Sequence, residues 1–267
     1  MRKGITIILI VLTVLSVGGL GAYRYLAARR VSGEAPVITF DAETLEVTTG
    51  AIEAELLQGV TATDAEDGDV TDSVLVETST HFVSDNTIEV TYAAFDSQGH
   101  VSKATRSVRY VNYTPPVFYF TGPMIFSESG VSELLSYVGA RDCIDGDISS
   151  RVKASALDTG TILTTPGVHV LEFRVTNSTG DTSYLKVPVE VVSGFASSRQ
   201  IPLTSYLIYL PVGSEFDPRS YLPEEYAADR QLEITNEVDT SRPGVYDVHY
   251  TRGTSITRLV VVVEGEG

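Results

Sequence analysis

Three carboxylates fall within six residues at Asp64, Asp67 and Asp69, and the same arrangement returns at Asp142, Asp145 and Asp147. Hard cations such as calcium need clustered oxygen ligands, usually about six to eight of them. Asp96, or Asn177 in the second copy, is the further oxygen that a neighbouring hairpin turn would supply. Calcium is therefore the one cofactor that these residues suggest, with a loop-stiffening rather than a catalytic role. The competing role is turn chemistry, in which Asp side chains accept hydrogen bonds from nearby backbone N–H groups. The spacing is not that of an EF-hand, since no Glu stands at the twelfth position. Both readings remain open at this level.

Other chemistry is poorly represented. The four histidines, His81, His100, His169 and His249, are neither spaced i, i+4 nor close to the single cysteine, so no zinc pattern exists. No Gly-x-Ser-x-Gly elbow, Ser-x-x-Lys pair or glycine-rich phosphate loop occurs. Cys143 has acidic sequence neighbours and reads as a small buried residue rather than a reactive thiol. Tyr119, Tyr206, Tyr209, Tyr221 and Tyr226 would form either a binding face or core and joint packing. The expectation is a protein that is not an enzyme. The formal charge is −16, with all 35 Asp and Glu beyond residue 30. Such a surface repels phosphate backbones and argues against nucleic acid as a partner.

The elements that must position these residues are strands. Beyond Pro36 the chain is rich in Val, Thr, Tyr and Ile, in short runs broken by Gly, Asp, Asn and Pro. Ala62 to Thr71, which contains the first acidic loop, recurs as Ala140 to Ser149. Ile88, Val90 and Tyr92 alternate with polar residues, as do His169, Leu171 and Phe173, and Tyr246, Val248 and Tyr250. That period of two turns one strand face inward and the other to water. Asp96-Ser97-Gln98-Gly99, Asn177-Ser178-Thr179-Gly180 and the shorter Arg252-Gly253 then read as hairpin turns. Each returns through an apolar strand, of which the third ends in Leu259 to Val263; Pro188 places its own strand at an edge or a bulge.

The block from Gly59 through Asp67-Gly68-Asp69-Val70-Thr71, followed by Val90-Thr91-Tyr92 and Phe95-Asp96-Ser97-Gln98-Gly99, resembles the bacterial immunoglobulin-like repeat also found in some insecticidal crystal proteins. The match is good over 36–111 and fair over 117–192. Residues 200–264 keep Glu215-Phe216-Asp217-Pro218 and Pro243-Gly244-Val245-Tyr246 but lack the Asp-Gly-Asp block. The resemblance implies an exported β-sandwich used as a spacer or binding module, and no catalytic activity.

The expected fold is therefore all-β, with three tandem Ig-like β-sandwich domains after an N-terminal transmembrane helix. The expected segments are an anchor over 1–30, a linker over 31–35, Ig-like domains over 36–112 and 113–193, a divergent third over 194–264, and a tail over 265–267. The membrane contact is the uncharged run 5–23, which would span roughly 28 Å as a helix. It exceeds a usual signal-peptide core of about 7–15 residues and reads as an uncleaved signal-anchor. Arg2 and Lys3 on one side balance Arg24, Arg29 and Arg30 on the other. Topology is therefore read from the repeats: N-terminus in the cytoplasm, domains outside a bacterial cell. The expected role is a cell-surface spacer or interaction stalk. The alternatives are an adhesion module for an unknown protein or envelope polysaccharide ligand, and an accessory subunit of an envelope enzyme complex.

Overall fold

A computed structural model describes residues 19–24, 33–156, 165–194 and 200–265. Residues 19–24 are helical; the rest of the span expected over 5–23 lies outside the described residues. Among the described residues no helix is long and apolar enough to cross a membrane. The chain divides into two compact units, Met1–Asn112 and Tyr113–Gly267.

The first unit pairs β1 (Val37–Phe40), β3 (Val60–Asp64) and β4 (Gly68–Asp69) in one sheet. The other sheet runs β2 (Thr44–Val47), β7 (Val101–Tyr110), β6 (Thr87–Phe95) and β5 (Leu75–Ser79). Strand β2 joins β7 in parallel, and the remaining pairs are antiparallel. The alternation in β6 is what closes the core: Ile88, Val90 and Tyr92 are buried and pack with Val60, Ala62, Val74 and Val108. Two buried polar side chains, Tyr92 and Arg106, find backbone partners here, which offsets their desolvation. The Tyr92 hydroxyl donates to the Leu56 carbonyl at 2.8 Å. The guanidinium of Arg106, fully buried, donates to the carbonyls of Gln58 and Leu56 at 2.9 and 2.7 Å.

The second unit opens with the same design. Strands β8 (Val117–Phe120), β10 (Val138–Asp142) and β11 (Gly146–Asp147) form one sheet. Strands β12 (Lys153–Ala156), β13 (Gly167–Thr176), β14 (Thr182–Val191) and β9 (Ile125–Phe126) form the other. The result is a sandwich-like all-β fold with Leu171, Phe173, Val175 and Val187 packed with Phe118 and Phe120. Pro188 sits opposite Val170, and the β13–β14 register runs through it without a bulge. On its other side the parallel partner β9 begins only at Glu190, so no ladder bond is missing at the proline.

Residues 200–265 differ from the expected third sandwich. They form one sheet, ordered β15 (Leu207–Pro211), β18 (Ser255–Glu264), β17 (Gly244–Arg252) and β16 (Glu233–Asn236). One face, with Leu259, Val261, Val263, Val248 and Tyr250, packs on Ile201, Leu203, Leu222 and Leu232. The other face presents Leu207 and Val260, with Tyr206, Tyr209 and Val262, to the core around Phe118 and Phe173. The strand Leu259 to Val263 is apolar at every position because both its faces are covered. The physical reason for the departure is that a single sheet cannot leave an apolar face in water, so it docks on its neighbour.

Candidate functional site

The two acidic loops fold alike. Gly68 and Gly146 bend between their aspartates at φ of 76° and 72°, a left-handed conformation that glycine reaches without a Cβ penalty. Oδ1 of Asp64 accepts the backbone N–H groups of Glu66 and Asp67, both at 2.9 Å. Asp142 does the same for Ile144 and Asp145, at 2.9 and 2.8 Å. Asp69 accepts from the Thr71 N–H at 3.0 Å, and Asp147 from the Ser149 N–H at 2.9 Å. Hydrogen bonds from Thr71 and from Ser149 hold the Asp69 and Asp147 carboxyls below their ordinary pKa.

The middle aspartate of each loop reaches the hairpin turn. Asp67 accepts the Ser97 N–H at 2.6 Å and the Ser97 hydroxyl at 2.9 Å. Asp145 accepts the Ser178 N–H at 2.7 Å and the Ser178 hydroxyl at 2.6 Å. Burial pushes the Asp145 pKa up, but the two Ser178 bonds and the Arg151 guanidinium outweigh it, and the net shift is downward. The turns are closed by N–H donation from Gly99 to the Asp96 carbonyl at 3.4 Å and from Gly180 to the Asn177 carbonyl at 3.2 Å.

At the first turn position the copies diverge. Asp96 accepts from the N–H groups of Gln98 and His100 at 2.9 and 2.7 Å and pairs with the His100 ring. Burial raises its pKa, and the His100 contacts with the Gly99 N–H bring it below the ordinary value. Asn177 donates its amide to Asp142 Oδ2 at 3.1 Å and to the Tyr113 hydroxyl at 2.9 Å, while Tyr113 donates to Asp181 at 2.6 Å. An aspartate in place of Asn177 would set two carboxylates against each other beside Asp142.

Of the suggested calcium ligands, Asp64, Asp67, Asp69, Asp96, Asp142, Asp145 and Asp147, every one is engaged with backbone N–H groups. Among the described residues no group of three or more His, Cys, Asp or Glu is placed to hold a metal ion. The arrangement stitches a loop to a hairpin. The oxygens so engaged are held by donors, and each carboxylate keeps further lone pairs beyond them.

The remaining candidates have structural surroundings. The Cys143 thiol, half-buried, donates to the Thr114 carbonyl at 3.1 Å. Tyr206 and Tyr209 pack on the core around Phe173, and Tyr221 and Tyr226 on the core of the last sheet. Arg141 lies over the Tyr119 ring at 5.1 Å. The serine partners Ser97 and Ser178 are what the sequence reading missed. Their signal was present, since a serine follows the first turn residue in both copies. Where the last sheet meets the preceding sandwich, Arg258, 2% exposed, bonds Asp247 at 2.5 Å and lies 3.7 Å from Glu190. Burial raises the Asp247 pKa, and Arg258 offsets only part of the rise.

No family model matches the chain. A curated relative, an uncharacterized 81.3 kDa protein of Acholeplasma phage L2, is 23% identical over 203 residues, covering 73% of this chain and 27% of that protein. The chain thus spans about a quarter of the length of the curated relative it matches. Similar solved structures include CBM51-2 and INT domains of Clostridium perfringens ZmpB, with 18% identity and a TM-score of 0.23 over 56% of this chain and 26% of that one. The surface layer protein SbsC, domains 1–6, has 13% identity and a TM-score of 0.20 over 88% and 41% of the two chains. A lipoprotein of Bacteroides thetaiotaomicron has 12% identity and a TM-score of 0.21 over 86% and 100%.

Proposed function

We propose that the chain is a non-enzymatic, membrane-anchored surface protein of a bacterial cell, held by residues 5–23, with the N-terminus cytoplasmic. Its immunoglobulin-like modules act outside as a spacer or interaction stalk. The observation that carries this reading is the repeated stitch, Asp67 to Ser97 and Asp145 to Ser178. The most concentrated chemistry in the sequence serves twice over to stiffen a module. The acidic surface and the single cysteine agree with an exported, disulfide-free chain.

Protease added to intact cells tests the topology. Cleavage within 36–264 before lysis supports it; protection until the membrane is opened refutes it.

A second reading, a binding module for a polysaccharide, is favoured by a cleft of about 700 Å³ beside the last sheet, lined among others by Glu215, Phe216, Asp217 and Asn236. Carboxylates and an amide beside an aromatic ring suit sugar hydroxyls and a sugar face. A glycan array on which the full chain retains no sugar would remove it.

A further inference from the structure

In a chain of net charge −16, three cationic side chains border one cleft of the second unit. Arg151, Lys153, Arg174 and Thr176 line a cleft of about 280 Å³. Lys153 and Arg174 are direct partners across β12 and β13, and both are exposed. Like charges directly opposite one another weaken a strand pair. Among the described residues, the ion pairs of this region are Arg151 with Asp145 and Lys186 with Glu172. Neither pair takes in Lys153 or Arg174.

The first unit shows what the fold itself requires here. At the matching register its partners are Leu75 and Ala93. The cations are therefore dispensable to the sandwich, and they oppose its strand pairing. Two positive charges face each other while the nearby carboxylates Glu172 and Asp145 are engaged by Lys186 and Arg151, an arrangement that matches a dianion. A carboxylate would neutralise only one of them, whereas a phosphate monoester carries nearly two charges near neutral pH. The guanidinium fork of Arg174 suits two phosphate oxygens at once, and the Lys153 ammonium acts as a point charge. The Thr176 hydroxyl, 2.8 Å from that of Thr182, borders the cleft as a further polar group.

We infer that the cleft over β12 and β13 binds a phosphate dianion through Lys153 and Arg174, with Arg151 and Thr176 at its border. The group is either free inorganic phosphate or the phosphate of a phosphorylated sugar. This site is independent of where the modules are displayed.

The test is calorimetric titration of the full chain in neutral detergent with inorganic phosphate, glucose 6-phosphate and glucuronate. The double variant Lys153→Leu, Arg174→Ala carries the residues of the first unit and is expected to fold, with a melting midpoint no lower than that of the wild type. Dissociation constants below about 10 mM for a phosphate, weakened at least about tenfold in the variant, support the site. Tighter binding of glucose 6-phosphate than of phosphate assigns a sugar phosphate, and the reverse order assigns the free ion. Equal binding by wild type and variant, no binding at about 10 mM, or glucuronate bound as tightly as either phosphate overturns the inference.

Discussion

Asp145 holds Ser178 by two hydrogen bonds, from the backbone N–H at 2.7 Å and from the hydroxyl at 2.6 Å. Asp67 holds Ser97 in the same way in the first unit. A loop carrying three carboxylates is thereby tied to a hairpin more than 25 residues away in sequence, and its negative charge is answered by backbone dipoles.

Calcium gives the first prediction. Asp64 and Asp69 each commit one carboxylate oxygen, and Asp67 both, to N–H or hydroxyl donors, which takes up part of the oxygen set that calcium would need. The melting midpoint of the full chain should be the same in millimolar calcium and in chelator. A ligand that binds only the folded state at about 100 times its Kd would add about 2.7 kcal/mol, so a site filled at that concentration could not escape notice.

Acid gives the second. The folded pKa of Asp145 lies below its ordinary value of 3.8, so its contribution is fully present above that value and is lost as pH falls through the folded value. Asp247 behaves oppositely. Its folded pKa is raised by burial, so the folded state takes up the proton first, and stability rises as pH drops toward the ordinary range. Thermal melting against pH should therefore show a steep loss only below about pH 4, blunted in Asp145→Asn. Asp247→Asn should remove the gain on the approach from neutrality.

The third concerns Arg258, which lies between Asp247 and Glu190 and is 2% exposed. Arg258→Ala leaves two carboxylates without their cation and should cost about 3–5 kcal/mol. Denaturant unfolding of the full chain checks it: the last sheet should release at lower denaturant than the sandwich it packs on. Glu190→Gln, at a 3.7 Å contact, should cost less than Arg258→Ala.

The sandwich cores were legible in the sequence because alternation at Ile88, Val90 and Tyr92 depends only on strand geometry. The last sheet was not read correctly, although Leu259 to Val263 carried the information. Five apolar residues in succession describe a strand covered on both faces, not one with a wet side. The acidic loops were legible as turns or ligands but not as one of the two. The contacts of Asp67 with Ser97 and of Asp145 with Ser178 were not legible, because a hairpin distant in sequence sets them. The like-charged pair Lys153 and Arg174 was hidden for a similar reason, since only strand register brings them face to face.

A double-mutant cycle on Asp145 and Ser178, with Asp145→Ala, Ser178→Ala and the double variant melted side by side, bears most directly on the role of the acidic loops. If the carboxylate clamps the hairpin, the serine hydroxyl and the aspartate should couple by about 1–2 kcal/mol, and each single change should destabilise the second unit. Coupling near zero, with Asp145→Ala as stable as the wild type, would mean that the carboxylates are not there to hold the fold together.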